Sequence, residues 1–199
     1  IGNLETKYKK VVNDLFAGDE SRKKGLQILK SSFDTIRSFT SGNFNEVGEN
    51  TILAQGELIS TQLFTQFMLE NGHNTKLLPA LDFMVIDQDK SADLPVIRKK
   101  IKPVIEKAGD ATYYITQGFI CLNANGEIDN LQRGGSDYTA SLIGAAIDSE
   151  EIQIWTDIDG FHNNDPRYVE NTRKIDQLSF TEAAELAYFG AKILHPQTV

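Results

Sequence analysis

LQRGGSDYTA, residues 131–140, places an arginine, two glycines, a serine and an aspartate directly ahead of an apolar helical repeat. Consecutive glycines let backbone N–H groups approach a ligand closely, and the following helix offers unpaired donors with a partial positive charge. Gly134, Gly135 and Ser136 therefore form a turn suited to an anion. Arg133 can make a bidentate pair with a carboxylate or phosphate. Asp137 beside it can accept from an ammonium group or balance the arginine. The plainer reading is a turn capped by Ser136 or Asp137, with Arg133 solvated. The glycine spacing matches neither a P-loop nor a dinucleotide fingerprint.

Working outward, strands alternate with helices on both sides of this turn. YYITQGFICL (113–122) is β-branched and aromatic, as a buried strand should be, and LLPALDFMVI (77–86) reads as extended. Ser91 to Ala108 reads as a helix that Pro103 should kink or divide. GGSDYTASLIGAAI (134–147) predicts a turn and a helix with Tyr138, Leu142 and Ala145 or Ala146 inward. EIQIWTDIDG (151–160) predicts another strand, and TEAAELAYFGAKIL (181–194) a short Ala-rich helix. Such alternation implies βαβ units around a mainly parallel sheet. The first part differs. Leu4, Tyr8, Val11, Val12 and Leu15 recur at helical spacing up to Gly18; Leu26, Leu29, Phe33 and Ile36 do so up to Ser41-Gly42. A third helical run from Glu49 to Glu70 ends at Asn71-Gly72, with Gly56 and Glu57 interrupting its apolar face. The expected organisation is one α/β unit: residues 1–72 mostly helical, 73–199 α/β.

Bulk properties narrow the partners. A chain of 199 residues can bury a sizeable core. A formal net charge of −8 argues against nucleic-acid backbone as partner, so any phosphate must be held locally. The lone cysteine, Cys121, forms no internal disulfide, which fits a reducing cytoplasm, and packing is its expected role. No apolar run approaches the ~18 residues of a transmembrane helix, and IGNLETKYKK has no signal-peptide core. No membrane partner is expected.

Parallel sheets place ligand sites at the carboxyl ends of their strands. Three polar clusters fall there: Thr116–Phe119, the opening turn, and WTDIDGFHNNDPR (155–167). The last is no EF-hand, because Gly160 comes too early and Tyr168 occupies the position of the bidentate glutamate. Asp165-Pro166 should start a turn instead.

At these residues the chain resembles the catalytic domain of aspartate kinases, in the amino-acid kinase superfamily. QGELIST, ITQGFI, RGGSDYTA, WTDIDGFHNNDPR and FGAKILHP occur in the family's order and spacing. The resemblance implies a three-layer αβα sandwich that is incomplete at both ends here, and transfer of the ATP γ-phosphoryl to the side-chain carboxylate of L-aspartate. It implies that Glu57 holds the substrate ammonium and Phe119 walls the aspartate site. Arg133 would bind the substrate carboxylate, Gly134, Gly135 and Ser136 would surround it, and Asp137 would orient the reacting centre. Thr156, Asp157, His162 (where some relatives carry tyrosine), Arg167, Lys192 and Ile193 would contact ATP, with Mg²⁺ bridging its phosphates. A homodimer is expected of the full-length protein. The family's "KFGGTS"-like lysine and glycine loop has no counterpart in these 199 residues. The rivals are another acceptor, such as glutamate, N-acetylglutamate or a nucleotide, and a non-catalytic module of the same fold. Glu57 in QGELIST favours aspartate. Without the resemblance, Glu57 reads as a surface or capping residue, Lys192 and His195 as groups complementing a helix dipole, and His73 and Asp159 as turn residues.

Overall fold

The computed structural model describes residues 1–40, 44–132, 134–155, 159–165 and 168–189. Three helices open the chain: α1 (Gly2–Leu15), α2 (Asp19–Thr40) and α3 (Glu46–Glu70). Val12, Phe16, Leu29, Phe33, Ile59 and Leu63 form their shared core. α1 ends at Leu15, shortly before the Gly18 at which the sequence predicts the run to stop, and Gly18 permits a close approach. Glu70 at the end of α3 accepts from the Gly18 N–H at 2.7 Å and the Ala17 N–H at 3.3 Å. A Cβ on Gly18 would lie 2.9 Å from that carboxylate. α1 packs mainly on α2, and Leu4 and Val11 of the predicted stripe stay half exposed.

α3 is the central helix. It touches α2 on one side and the strands β1 (Thr75–Leu78), β2 (Tyr113–Thr116) and β4 (Ile128–Asn130) on the other. Such a position explains why its apolar residues run nearly all round. β1 and β2 are parallel, Thr75 facing Tyr113 and Leu78 facing Thr116, and α4 (Leu94–Ala108) connects them. This is the βαβ unit that the alternation implies. Asp93 caps α4 by accepting from the Val96 N–H at 3.0 Å, and Ile97 and Ile101, one turn apart, are buried. α4 packs on β1 and on α5 (Gly135–Ala146), and Arg98 pairs with Asp148 just beyond α5. Helix, sheet and helix follow in that order, so the fold class is α/β, as expected. α6 (Phe180–Phe189) is the last described helix.

Several local expectations are corrected. Pro103 does not divide α4. Lys99, whose carbonyl lacks the proline's N–H, is exposed, as is Pro103 itself, so water can serve the gap. Residues 91–93 precede the helix. The 77–86 stretch is strand only to Leu78. Pro79 turns it into a 3₁₀ turn at Ala80–Asp82, and Val85 then pairs in parallel with Leu122. YYITQGFICL is two strands, not one: β2 is half exposed through Tyr113 and Tyr114, and β3 (Ile120–Leu122) pairs antiparallel with β4. Asn123 makes that hairpin by accepting from the N–H groups of Asn125 and Glu127, with Gly126 at φ +77°. Residues 151–155 form no strand, since no described strand lies beside them, and Trp155 is 89% exposed. In α5, Leu142 and Ala146 are buried while Ala145 faces out. Ser41-Gly42 lies outside the described residues.

Candidate active site

The site is built from one loop, one helix start and one turn of α3. Between β2 and β3 the chain reverses at Phe119, whose φ is +70°, and the Ile120 N–H reaches the Gly118 carbonyl at 2.8 Å. This three-residue turn is strained for a bulky side chain. Neighbours hold it. The Phe119 N–H donates to Thr139 Oγ1 at 3.1 Å, Thr139 donates to the Gly135 carbonyl at 2.7 Å, and the Phe119 carbonyl accepts from the Leu131 N–H at 2.8 Å. The loop is thereby bound to the start of α5.

α5 begins at Gly134, left-handed at φ +81° and without a side-chain cap. Its first donors are partly used: the Gly135 N–H bonds Gln132, and those of Asp137 and Tyr138 both bond the Gly134 carbonyl. Glycine is required where the loop meets the helix. A Cβ on Gly118 would lie 2.9–3.0 Å from Ser136, and one on Gly135 would lie 2.9 Å from Leu131 and 3.3 Å from the Phe119 ring. Ser136 itself is exposed at the helix start. Gly134, Gly135, Ser136, Asp137 and Phe119 thus come together, as the sequence predicts. Arg133 lies outside the described residues.

Glu57 stands half buried on α3. Burial pushes its carboxyl above the ordinary glutamate range. One turn on, Thr61 donates to the Glu57 carbonyl at 2.7 Å and accepts from Gln117 at 2.7 Å, so this turn of α3 is fastened to the loop before Phe119. Gln117, Thr61 and Thr139 lie inside the stretches the sequence singles out, yet no role of their own is read for them there. Their signal was available: Gln117 is a large amide directly after an apolar strand, and Thr139 is a hydroxyl on the inward face of α5. The Thr116 hydroxyl, at the end of β2, is buried with no described partner.

Thr156, Asp157, Arg167, Lys192 and Ile193 lie outside the described residues. His162 is described, and its ring is occupied: one nitrogen meets Asp159 at 2.6 Å and the other Thr172 at 2.9 Å. The imidazole bond holds the Asp159 carboxyl below its usual range. Asp165 does begin a turn, its carbonyl accepting from Tyr168 and Val169. Cys121 is fully buried, which pushes its thiol up to about 12, as suits packing rather than nucleophilic attack. A separate cavity of about 410 Å³ lies between the start of α3 and the β3–β4 hairpin. Glu46, Asp87, Glu127 and Asp129 wall it, and Lys90 pairs with Glu46 at 3.3 Å and lies 3.8 Å from Asp129. Its acidic wall repels phosphate, and it stands apart from the glycine turn.

The strained Phe119 turn is pressed on a glycine-started helix beside an α/β sheet, and the chain belongs to the amino acid kinase family, whose model matches residues 9–199. Within it, the chain is similar to aspartokinases. It is 37% identical over 155 residues to lysine-sensitive aspartokinase 3 of Escherichia coli, a match covering 74% of this chain and 34% of that protein. It is 31% identical over 180 residues to a bifunctional aspartokinase/homoserine dehydrogenase of Buchnera aphidicola, covering 88% of this chain and 20% of the relative. The crystal structure of E. coli aspartokinase III with aspartate and ADP superposes with a TM-score of 0.82 at 29% identity, over 94% of this chain and 42% of that one. The chain therefore spans between a fifth and two fifths of the length of these proteins.

Proposed function

We propose that residues 1–199 are part of an aspartate kinase catalytic domain. The reaction transfers the γ-phosphoryl group of ATP to the side-chain carboxylate of L-aspartate, giving 4-phospho-L-aspartate and ADP, the first step towards lysine, threonine and methionine. The observation that supports this best is the fastening of the Glu57 turn of α3 to the Phe119 loop and the start of α5. A substrate with an ammonium and two carboxylates finds a half-buried carboxylate on one side and a helix start with glycines on the other. Glu57 takes the ammonium, Phe119 bounds the pocket, and Arg133 with Gly134, Gly135 and Ser136 takes the α-carboxylate. Asp137 orients the acceptor carboxylate, one oxygen of which attacks the γ-phosphorus as the bond to ADP breaks.

Phosphoryl transfer asks the protein chiefly for positioning and charge stabilisation. The donors at the start of α5 suit an anionic phosphate as they suit a carboxylate. Thr156, Asp157, His162, Arg167, Lys192 and Ile193 are assigned to the nucleotide. For His162 this requires the ring to leave Asp159 or Thr172, or to act through them. Mg²⁺ bound to the ATP would offset its phosphate charge, and no residue of this chain is assigned to hold it. We place the protein in the cytoplasm and expect the full-length form to be a homodimer.

The test is acceptor choice by the full-length protein. Supplied with ATP and Mg²⁺, it should form an acyl phosphate, trapped with hydroxylamine, from aspartate and not from glutamate or N-acetylglutamate. Arg133→Ala should raise KM for aspartate about 10- to 100-fold, since a charge-assisted bond contributes ~1.5–3 kcal/mol, with KM for ATP changing much less. An equal loss on both substrates would make Arg133 a phosphate ligand or a structural residue.

A further inference from the structure

Gln117 is 1% exposed at the carboxyl end of β2, and both ends of its amide are used. Its Oε1 accepts from the Ala80 N–H at 2.8 Å, in the 3₁₀ turn after β1. Its Nε2 donates to Thr61 Oγ1 at 2.7 Å, on α3. The Thr61 hydroxyl in turn donates to the Glu57 carbonyl at 2.7 Å. One buried side chain therefore joins the end of β1, the end of β2 and the α3 turn that carries Glu57. Two residues further on lies the strained turn at Phe119. Burying an amide is unfavourable unless both ends find partners, so a residue needed only to fill space here would be apolar. The amide instead fixes a distance.

We propose that Gln117 is a positioning residue: through Thr61 it sets the separation between the Glu57 carboxylate and the Phe119–Ser136 turn, and so the affinity for the amino-acid substrate. It touches neither substrate. The proposal rests on the reading that Glu57 binds the substrate ammonium. The two ionic ends of an α-amino acid are a fixed distance apart, and a helix free to slide along its axis would hold one end at the expense of the other. The 2.7 Å bond from Gln117 to Thr61 Oγ1 opposes that slide, because it crosses from the β2 end to α3 while Thr61 stays tied to the Glu57 turn of its own helix.

The test uses the full-length protein and five variants. Gln117→Glu keeps the acceptor for Ala80 and loses the donor to Thr61. Thr61→Val removes the Thr61 hydroxyl at constant shape, and Thr61→Ser restores it. Gln117→Glu and Thr61→Val should each raise KM for aspartate about five- to tenfold, the range a lost neutral hydrogen bond allows, with KM for ATP within about twofold. Thr61→Ser should stay near wild type. The double variant Gln117→Glu/Thr61→Val should be no worse than the worse single one, because both break the same bond. Proportional changes in both KM values, an unchanged KM for aspartate in Thr61→Val, or multiplying effects in the double variant would overturn the proposal. If Gln117→Glu fails to fold, the Thr61→Val and Thr61→Ser pair decides. A wild-type protein that does not phosphorylate aspartate, or a Glu57→Gln variant with unchanged KM, would instead sink the functional reading beneath it.

Discussion

A carboxyl group that is half buried and still expected to meet a cation has a pH signature. Burial raises the Glu57 carboxyl above its ordinary range, because the charged form loses solvation. Protonation therefore begins at a higher pH than for a solvated glutamate, and a protonated Glu57 cannot hold an ammonium. KM for aspartate in the full-length protein should rise as pH falls through that raised value, while KM for ATP does not follow it. Glu57→Gln should raise KM for aspartate about 10- to 100-fold and flatten its pH profile, on the ~1.5–3 kcal/mol of a charge-assisted bond. The stability effect has the opposite sign. A carboxyl whose folded value is raised favours the folded state at low pH and loses that contribution as pH rises through the folded value. At neutral pH the glutamine variant should thus unfold at an equal or higher temperature than wild type. A variant that is both less stable and unchanged in KM would make Glu57 structural.

Two glycines in the candidate site show how differently elements tolerate a methyl group. Gly56, beside Glu57 on α3, has nothing within 4 Å of a built Cβ, whereas at Gly118 the Cβ would meet the Cα, Cβ and Oγ of Ser136 at 2.9–3.0 Å. Gly56→Ala should stabilise the helix by ~0.5–1 kcal/mol through reduced backbone freedom in the unfolded chain. Gly118→Ala should cost ~1–3 kcal/mol, since backbone atoms of α5 must move apart from the loop. Urea unfolding followed by circular dichroism reads both, and a Gly118→Ala chain as stable as wild type would show that the loop and α5 are not in contact. This contact also marks where the sequence stopped being legible. The helices α1 to α5 follow from periodicity and caps, because a helix closes its own hydrogen bonds. Strands do not: 77–86 stops at Pro79, 113–122 breaks at Gly118-Phe119 where α5 packs on the loop, and 151–155 has no described strand beside it. The glycine turn and Glu57 were legible as motifs. The buried bonds of Gln117, Thr61 and Thr139 were not, because they join residues up to 56 positions apart.

At the scale of the whole molecule, charge and coverage decide what these 199 residues can do alone. The net charge is −8, so on average the protein repels ATP and local donors must hold it. Those local donors are the start of α5 and the few basic side chains assigned to the site. The lysine that the family uses on the transferring phosphoryl group sits in a "KFGGTS"-like loop, and no such stretch occurs between Ile1 and Val199. Without that lysine the charge that develops on the phosphoryl oxygens loses a preorganised cation, which typically costs ~10²–10³-fold in rate. We therefore predict that this chain, incubated with ATP, Mg²⁺ and aspartate, yields no hydroxamate above background in a hydroxylamine trap. Binding should fare better than turnover, because Glu57, Phe119, Gly134, Gly135 and Ser136 are all present, so titration calorimetry should detect aspartate where the trap detects no product. Turnover approaching that of the full-length protein would place the essential cation within residues 1–199, with Lys192 the first residue to replace.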